Sequence, residues 1–106
     1  MAWVYLLVAG LLEIVWAFFM KQSDGFTKIG PTIMTFVAAA ASFALLSVSM
    51  KSLPLGTAYV VWTGIGAVGA FVLAIAVLGE EAGIMRIVAG SLIVAGLILM
   101  KLSTPE

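Results

Sequence analysis

Glu13 is set apart from the other acidic residues: it lies inside an apolar run over residues 1–20 that carries no other charged side chain and closes at Lys21. If that run crosses a membrane, an acidic side chain near its middle costs about 2.5–3.5 kcal/mol by insertion scales. No Lys, Arg or His lies at similar depth in the other apolar runs, so an internal ion pair is not available. Glu13 is therefore either protonated and neutral, making one interhelical hydrogen bond, or it faces a cavity and meets a cation from outside. A residue that does each in turn is a proton-coupled binding site, and an ionisable group inside a span is a functional residue by default.

Helical spacing surrounds it with suitable neighbours. Residues three and four apart share a helix face, which groups Ala9, Gly10, Trp16 and Ala17 with Glu13. The small residues let another helix or a ligand approach, and Trp16 offers an aromatic surface one turn away. Ser42 ends the run Ala38-Ala39-Ala40-Ala41-Ser42. Taken alone, its hydroxyl bonds its own helix at the fourth residue back; beside Glu13 it becomes a partner that orients the carboxylate. Tyr59 and Trp62 are three apart and share a face. Tyr59 also suits an aromatic belt at the membrane edge, as do Trp3 and Tyr5, whereas Trp62 lies a turn deeper. Carboxylate, hydroxyl and aromatic faces together make a cation site: aromatic rings attract cations within about 6 Å. A planar guanidinium adds two parallel hydrogen bonds to one carboxylate.

The elements that must hold these residues are spanning helices. The chain has 106 residues, 64% hydrophobic and only 9% charged, with a mean hydropathy of +1.28. Soluble domains are about 25% charged, so this chain lacks the polar residues to cover a water-facing surface. A span needs about 20 mostly apolar residues, and four fit, at about 2–20, 31–50, 54–78 and 84–102. They fill residues 1–106 as one four-helix transmembrane domain with short connectors. The expected fold is an all-α integral membrane protein. Five basic and five acidic residues balance, leaving no basic footprint for nucleic acid. With no Cys and no His, thiolate and imidazole chemistry and the usual metal sites are excluded. One carboxylate without a partner base, nucleophile or metal cluster is not a catalytic constellation, so no enzyme and no cofactor are expected.

The connectors agree with that division. Lys21-Gln22-Ser23-Asp24-Gly25 is polar, Gly30-Pro31 starts a helix, Lys51-Ser52-Leu53-Pro54 parts the middle spans, and Gly79-Glu80-Glu81-Ala82-Gly83 precedes the last. Ser103-Thr104-Pro105-Glu106 forms a polar tail. The first run is expected to be a span and not a cleaved signal, because its Lys follows the apolar stretch and a carboxylate sits within it. Lys51 and Lys101 fall on one side of the membrane; Lys21, Lys28 and Arg86 fall on the other. Basic residues set orientation, and so even a division leaves room for insertion both ways. The stretch Thr63-Gly64-Ile65-Gly66-Ala67-Val68-Gly69 admits close packing or a bend. The fourth span, with Gly90, Ser91, Ala95 and Gly96, reads as a helix–helix contact surface between subunits.

These residues resemble a known family. The Glu13 helix, the connector Lys21-Gln22-Ser23-Asp24-Gly25-Phe26-Thr27 and the run from Pro54 through Tyr59-Val60-Val61-Trp62-Thr63-Gly64-Ile65-Gly66 look like the small multidrug resistance family, over nearly the whole chain. Within it, Gly10, Trp16, Ala17, Trp62, Ala67 and Lys101 match the guanidinium-exporter branch. Ala39 departs from it: a bulkier residue is expected there, and a smaller one would widen the pocket or a lipid-facing portal.

The resemblance implies an antiparallel, dual-topology homodimer in a bacterial inner (cytoplasmic) membrane, exporting guanidinium and small substituted guanidinyl cations in exchange for protons by alternating access. It further implies that Glu13 binds proton or cation, that Trp16 and Ser42 orient it, and that Tyr59 and Trp62 line the pocket. Gly64 and Gly66 would mark a helix bend, and Gly90 and Gly96 the dimer contact. Two other readings compete. A broader exporter would accept quaternary ammonium and other hydrophobic cations, which cannot donate the hydrogen bonds of guanidinium. A small non-transporting membrane subunit would use Glu13 only for packing.

Overall fold

A computed structural model of the chain describes residues 2–103, so the Thr104-Pro105-Glu106 part of the expected tail lies outside the described residues. Four helices account for nearly all of it: α1 (Ala2–Gln22), α2 (Ile29–Ser49), α3 (Leu55–Ala76) and α4 (Ile84–Ser103). Each is long and apolar enough to cross a membrane. At 1.5 Å per residue they reach about 30 Å, the thickness of the hydrocarbon core.

The helix ends follow local chemistry. α1 runs on through Lys21 and Gln22, beyond the expected close at residue 20, because the amide of Ser23 still bonds the Phe19 carbonyl at 2.8 Å. Ser23 then organises the turn: its Oγ donates to the Met20 carbonyl at 2.6 Å and accepts from the Phe26 amide at 3.0 Å. Asp24, Gly25 and Phe26 all take positive φ there, and the bulky Phe26 is held by stacking on Phe36 at 5.7 Å. Pro31 sits in the first turn of α2, where a missing amide costs nothing, and Pro54 precedes α3 and accepts its first bond, from the Ala58 amide. α3 stops two residues short of 78. Left-handed Gly79 turns the chain and the Glu80 amide folds back to the Ala74 carbonyl at 3.1 Å.

Hydroxyls inside the spans mostly bond their own helix, as they must where no water is present: Thr35 to the Pro31 carbonyl at 2.8 Å, Ser49 to Leu46 at 2.7 Å, Ser91 to Ile87 at 2.9 Å. Thr57 of α3 instead reaches Met100 Sδ of α4 at 4.0 Å, and Ser42 also bonds another helix, as taken up below.

α1 packs against both α2 and α3, whereas α4 lies beside α3 alone at backbone distance. The buried face of α2 reads Thr35, Ala38, Ser42, Leu46, Ser49, one helical stripe. The core joins Leu6 and Ala9 of α1 to Leu46, Ala58, Val61 and Trp62. The chain forms a slab, 42 × 34 × 16 Å, and no residue of α4 is buried in it.

Candidate cation-binding site

Glu13 stands half-buried on α1, at the junction of α1 with α3. Its Oε1 is buried and has no hydrogen-bond partner among the described residues. The carboxylate rests against the backbone of Gly66: a Cβ on Gly66 would collide with Oε1 and with the carboxyl carbon, and would lie 2.8 Å from Cγ. The glycine is what makes room for the acid. One turn back, Gly10 admits Ile65 of α3, whose Cγ2 would lie 2.6 Å from an added Cβ. The two glycines on facing helices let α1 and α3 close up around the carboxylate.

Ser42 is fully buried and reaches across to α1, where its Oγ donates to the Ala9 carbonyl at 2.6 Å. It does not take the bond to its own helix that its sequence position allows. Trp62 Nε1 in turn donates to Ser42 Oγ at 2.9 Å. In an α-helix the Ala9 carbonyl is also the acceptor for the Glu13 amide. Ser42 therefore bonds the backbone of the turn that carries Glu13, and not the carboxylate that its expected role would have it orient.

Aromatic rings continue from Trp62. It lies 5.6 Å from Tyr59 and 5.7 Å from Phe43, and Phe43 lies 6.3 Å from Trp16. Trp16, Phe43, Trp62 and Tyr59 thus form a continuous wall drawn from three helices. Trp62 is nearly sealed, at 6% exposure, whereas Tyr59 is half exposed at 53%. The Trp16 Nε1 is buried without a partner, the same condition as Glu13 Oε1. A donor and an acceptor are therefore both left open on one helix face, one turn apart.

These contacts link Trp16, Ser42, Tyr59 and Trp62, and Glu13 joins them along its own helix, between Ala9, which Ser42 bonds, and Trp16. Phe43 was missed. It bridges two of the indoles, and its only signal in the sequence is a lone aromatic beside Ser42 after a run of alanines. The glycines of α3 act here as points of close approach, Gly66 to Glu13 and Gly64 to Leu97, within an unbroken helix. On α4, Gly90 is near Phe71, and nothing in the subunit lies within 4 Å of a Cβ added to Gly96. Among the described residues there is no group of three or more potential ligands that could hold a metal.

Four helices able to span, carrying a buried acid with an unpartnered oxygen and an aromatic wall, define a polytopic membrane protein, and comparison with known sequences gives its family. Residues 1–95 match the Small Multidrug Resistance protein family, and the chain belongs to that family. It is 56% identical over 104 residues to the guanidinium exporter of Yersinia pseudotuberculosis serotype I (strain IP32953), covering 98% of this chain and 100% of the relative. It is 55% identical to that of Salmonella typhimurium and 54% identical to that of Escherichia coli (strain K12), each over 98% of this chain and 99% of the relative. With four helices able to span, it is a multi-pass membrane protein.

Proposed function

We propose that the chain is a single four-helix domain working as an antiparallel, dual-topology homodimer in a bacterial cytoplasmic membrane, and that it exports guanidinium and small substituted guanidinyl cations in exchange for protons. The observation that carries this reading is the unpartnered carboxylate oxygen of Glu13, seated on Gly66 and one helical turn from the open Trp16 Nε1. A buried acid without a partner is costly in its charged form, so it takes a proton or a cation. The planar guanidinium satisfies both carboxylate oxygens at once and presents a flat face to the rings. The relatives named as guanidinium exporters support the choice of cation.

The dimer is supported by what the subunit leaves open. A slab 16 Å thick encloses no path by itself, and α4 buries none of its residues. A second copy placed on Gly90 and Gly96 would bring two Glu13 residues toward a shared chamber. Two carboxylates in one dry site do not both ionise cheaply, so the empty pair holds protons and an arriving cation displaces them. The loaded forms switch between the two faces, with Gly64 and Gly66 as the bend, while the empty deprotonated form is held back. Without that restriction exchange would leak.

The test is the current from purified protein in liposomes on a solid-supported membrane, on adding guanidinium and then tetramethylammonium. Wild type should respond to guanidinium, Glu13→Gln should not, and tetramethylammonium should give a weak response. Comparable responses would indicate the broader exporter, and a silent but folded wild type would refute transport. Because protons compete for Glu13, the half-saturating guanidinium concentration should rise as pH falls. Its limiting slope is about tenfold per pH unit for each proton displaced.

A further inference from the structure

A second constellation with the chemistry of a guanidinium site lies at the membrane edge, away from Glu13. Arg86, in the first turn of α4, places its guanidinium carbon 5.1 Å from the centroid of the Phe71 ring. Its Nη2 lies 3.7 Å from Glu80 Oε1, and its Nη1 donates to the Glu81 carbonyl at 2.8 Å. An aromatic face and a carboxylate thus hold a planar cation, the chemistry expected of a guanidinium site. This pair is loose: 3.7 Å is well beyond the 2.7–2.9 Å of a tight charge-assisted hydrogen bond, and both side chains are close to half exposed.

The position of this pair matters as much as its chemistry. Arg86, Glu80 and Phe71 line a cavity of about 320 Å³ whose walls also include Lys21, Ala17 and Ala67. Ala17 is four residues beyond Glu13 on α1, about 6 Å along the helix, and Ala67 follows the Gly66 that seats the carboxylate. The cavity therefore begins about one helical turn from Glu13, which does not line it, and ends among charged groups at the ends of α1 and α3. One water needs only about 10–15 Å³ of such space, so there is room for a small hydrated cation. Lys21 at the rim repels cations, which leaves Glu80 as the one carboxylate among the cavity's lining residues.

We propose that Glu80 and Phe71 form an outer acceptor for the transported guanidinium-type cation at the mouth of this cavity, with the Arg86 head group as its tethered occupant. The transported cation exchanges for Arg86 on its way to or from Glu13. This rests on the transport reading above. An antiparallel pair would place one such mouth at each membrane face. Because Arg86 occupies the acceptor as a mimic of the cargo, it weakens apparent affinity by competition, and the planar fork matters as well as the charge. Lysine keeps the charge but is a point cation without that fork.

The experiment compares full-length wild type with Arg86→Lys, Arg86→Gln and the double variant Arg86→Gln with Glu80→Gln, all in liposomes, reading half-saturating guanidinium and maximal current separately. Both single variants should lower the half-saturating concentration by about two- to fivefold, the scale of an exposed ion pair, with maximal current retained. The double variant should lose that gain. Arg86→Lys matching wild type would show a simple charge barrier and overturn the proposal. A double variant that keeps the gain would overturn Glu80 as acceptor. Unchanged half-saturation with a lower melting temperature and lower maximal current would show a purely structural pair. If Arg86→Gln does not fold, Arg86→Lys decides alone. A folded wild type without guanidinium current would refute the transport reading itself, whereas a responding wild type with unresponsive variants would refute only the outer acceptor.

Discussion

The two seams of the subunit are built to different standards. Where α1 meets α2 and α3, backbones come close over Ala9, Gly10 and Gly66, hydroxyl and indole bond across helices, and Ser42 and Ala9 are fully buried. Where α4 meets α3, Leu97 lies over Gly64, Phe71 lies beside Gly90 and the Thr57 hydroxyl reaches Met100 Sδ at 4.0 Å, but no residue of α4 is buried. Lipid tails are as apolar as Leu, so apolar faces alone give helices little reason to associate; small residues and interhelical hydrogen bonds supply it. Those devices are concentrated around Glu13 and sparse along α4. The first seam fixes a carboxylate in position, and the second leaves a helix face open to lipid or to another copy.

The largest effect should come from filling the space under the acid. Gly66→Ala places a methyl where Glu13 Oε1 and the carboxyl carbon lie and 2.8 Å from Cγ, so the carboxylate has to leave its seat. Overpacking of this kind costs about 1–3 kcal/mol, so half-saturating guanidinium should rise roughly tenfold or more. Gly56→Ala, on the same helix with open space around it, should leave it unchanged. Equal effects at both glycines would mean that flexibility of α3, and not the seat for the carboxylate, is what Gly66 supplies.

A smaller and asymmetric effect is expected at the cross-helix bond. Ser42→Ala leaves the buried Trp62 Nε1 without an acceptor and frees the Ala9 carbonyl, a penalty of about 1–3 kcal/mol. Trp62→Phe removes the donor but leaves Ser42 bonded to Ala9, so the lost bond is worth only about 0.5–1.5 kcal/mol. Thermal melting in detergent should rank Ser42→Ala below Trp62→Phe. The reverse order would show that the bulk of the indole, packed on Phe43 and Tyr59, outweighs its hydrogen bond.

How much of this was legible beforehand follows the same division. The spans could be read because hydrocarbon tolerates so little charge, and Glu13 could be read because it breaks that rule. Trp16, Tyr59 and Trp62 followed from helical spacing. The acceptor of Ser42 could not be read: it is a backbone carbonyl, which every residue carries and no sequence pattern marks. The seat at Gly66 was hidden for a related reason, since a glycine in a span signals close approach without naming the atom that approaches. Arg86 read as one of the basic residues that bear on orientation, and the fold alone shows Phe71 beneath it and Glu80 beside it.

The weakest perturbation of the subunit bears most directly on its open face. Gly64→Ala meets Leu97 Cδ2 at 2.5 Å, the far end of a flexible side chain, and should loosen α4 with a loss of about 1 kcal/mol. Gly96→Ala meets nothing within 4 Å and should change the stability of the isolated subunit by less than about 0.5 kcal/mol, as for a substitution away from any packed feature. The larger Gly96→Val should behave likewise in the subunit, because the space is empty. If a second copy packs there, however, Gly96→Val should lower the dimeric fraction found by cross-linking in liposomes, and guanidinium current should fall with it. Helix content would stay that of wild type. A variant with wild-type cross-linking and current would place lipid on that face, and the partner's contact would then have to lie elsewhere on α4.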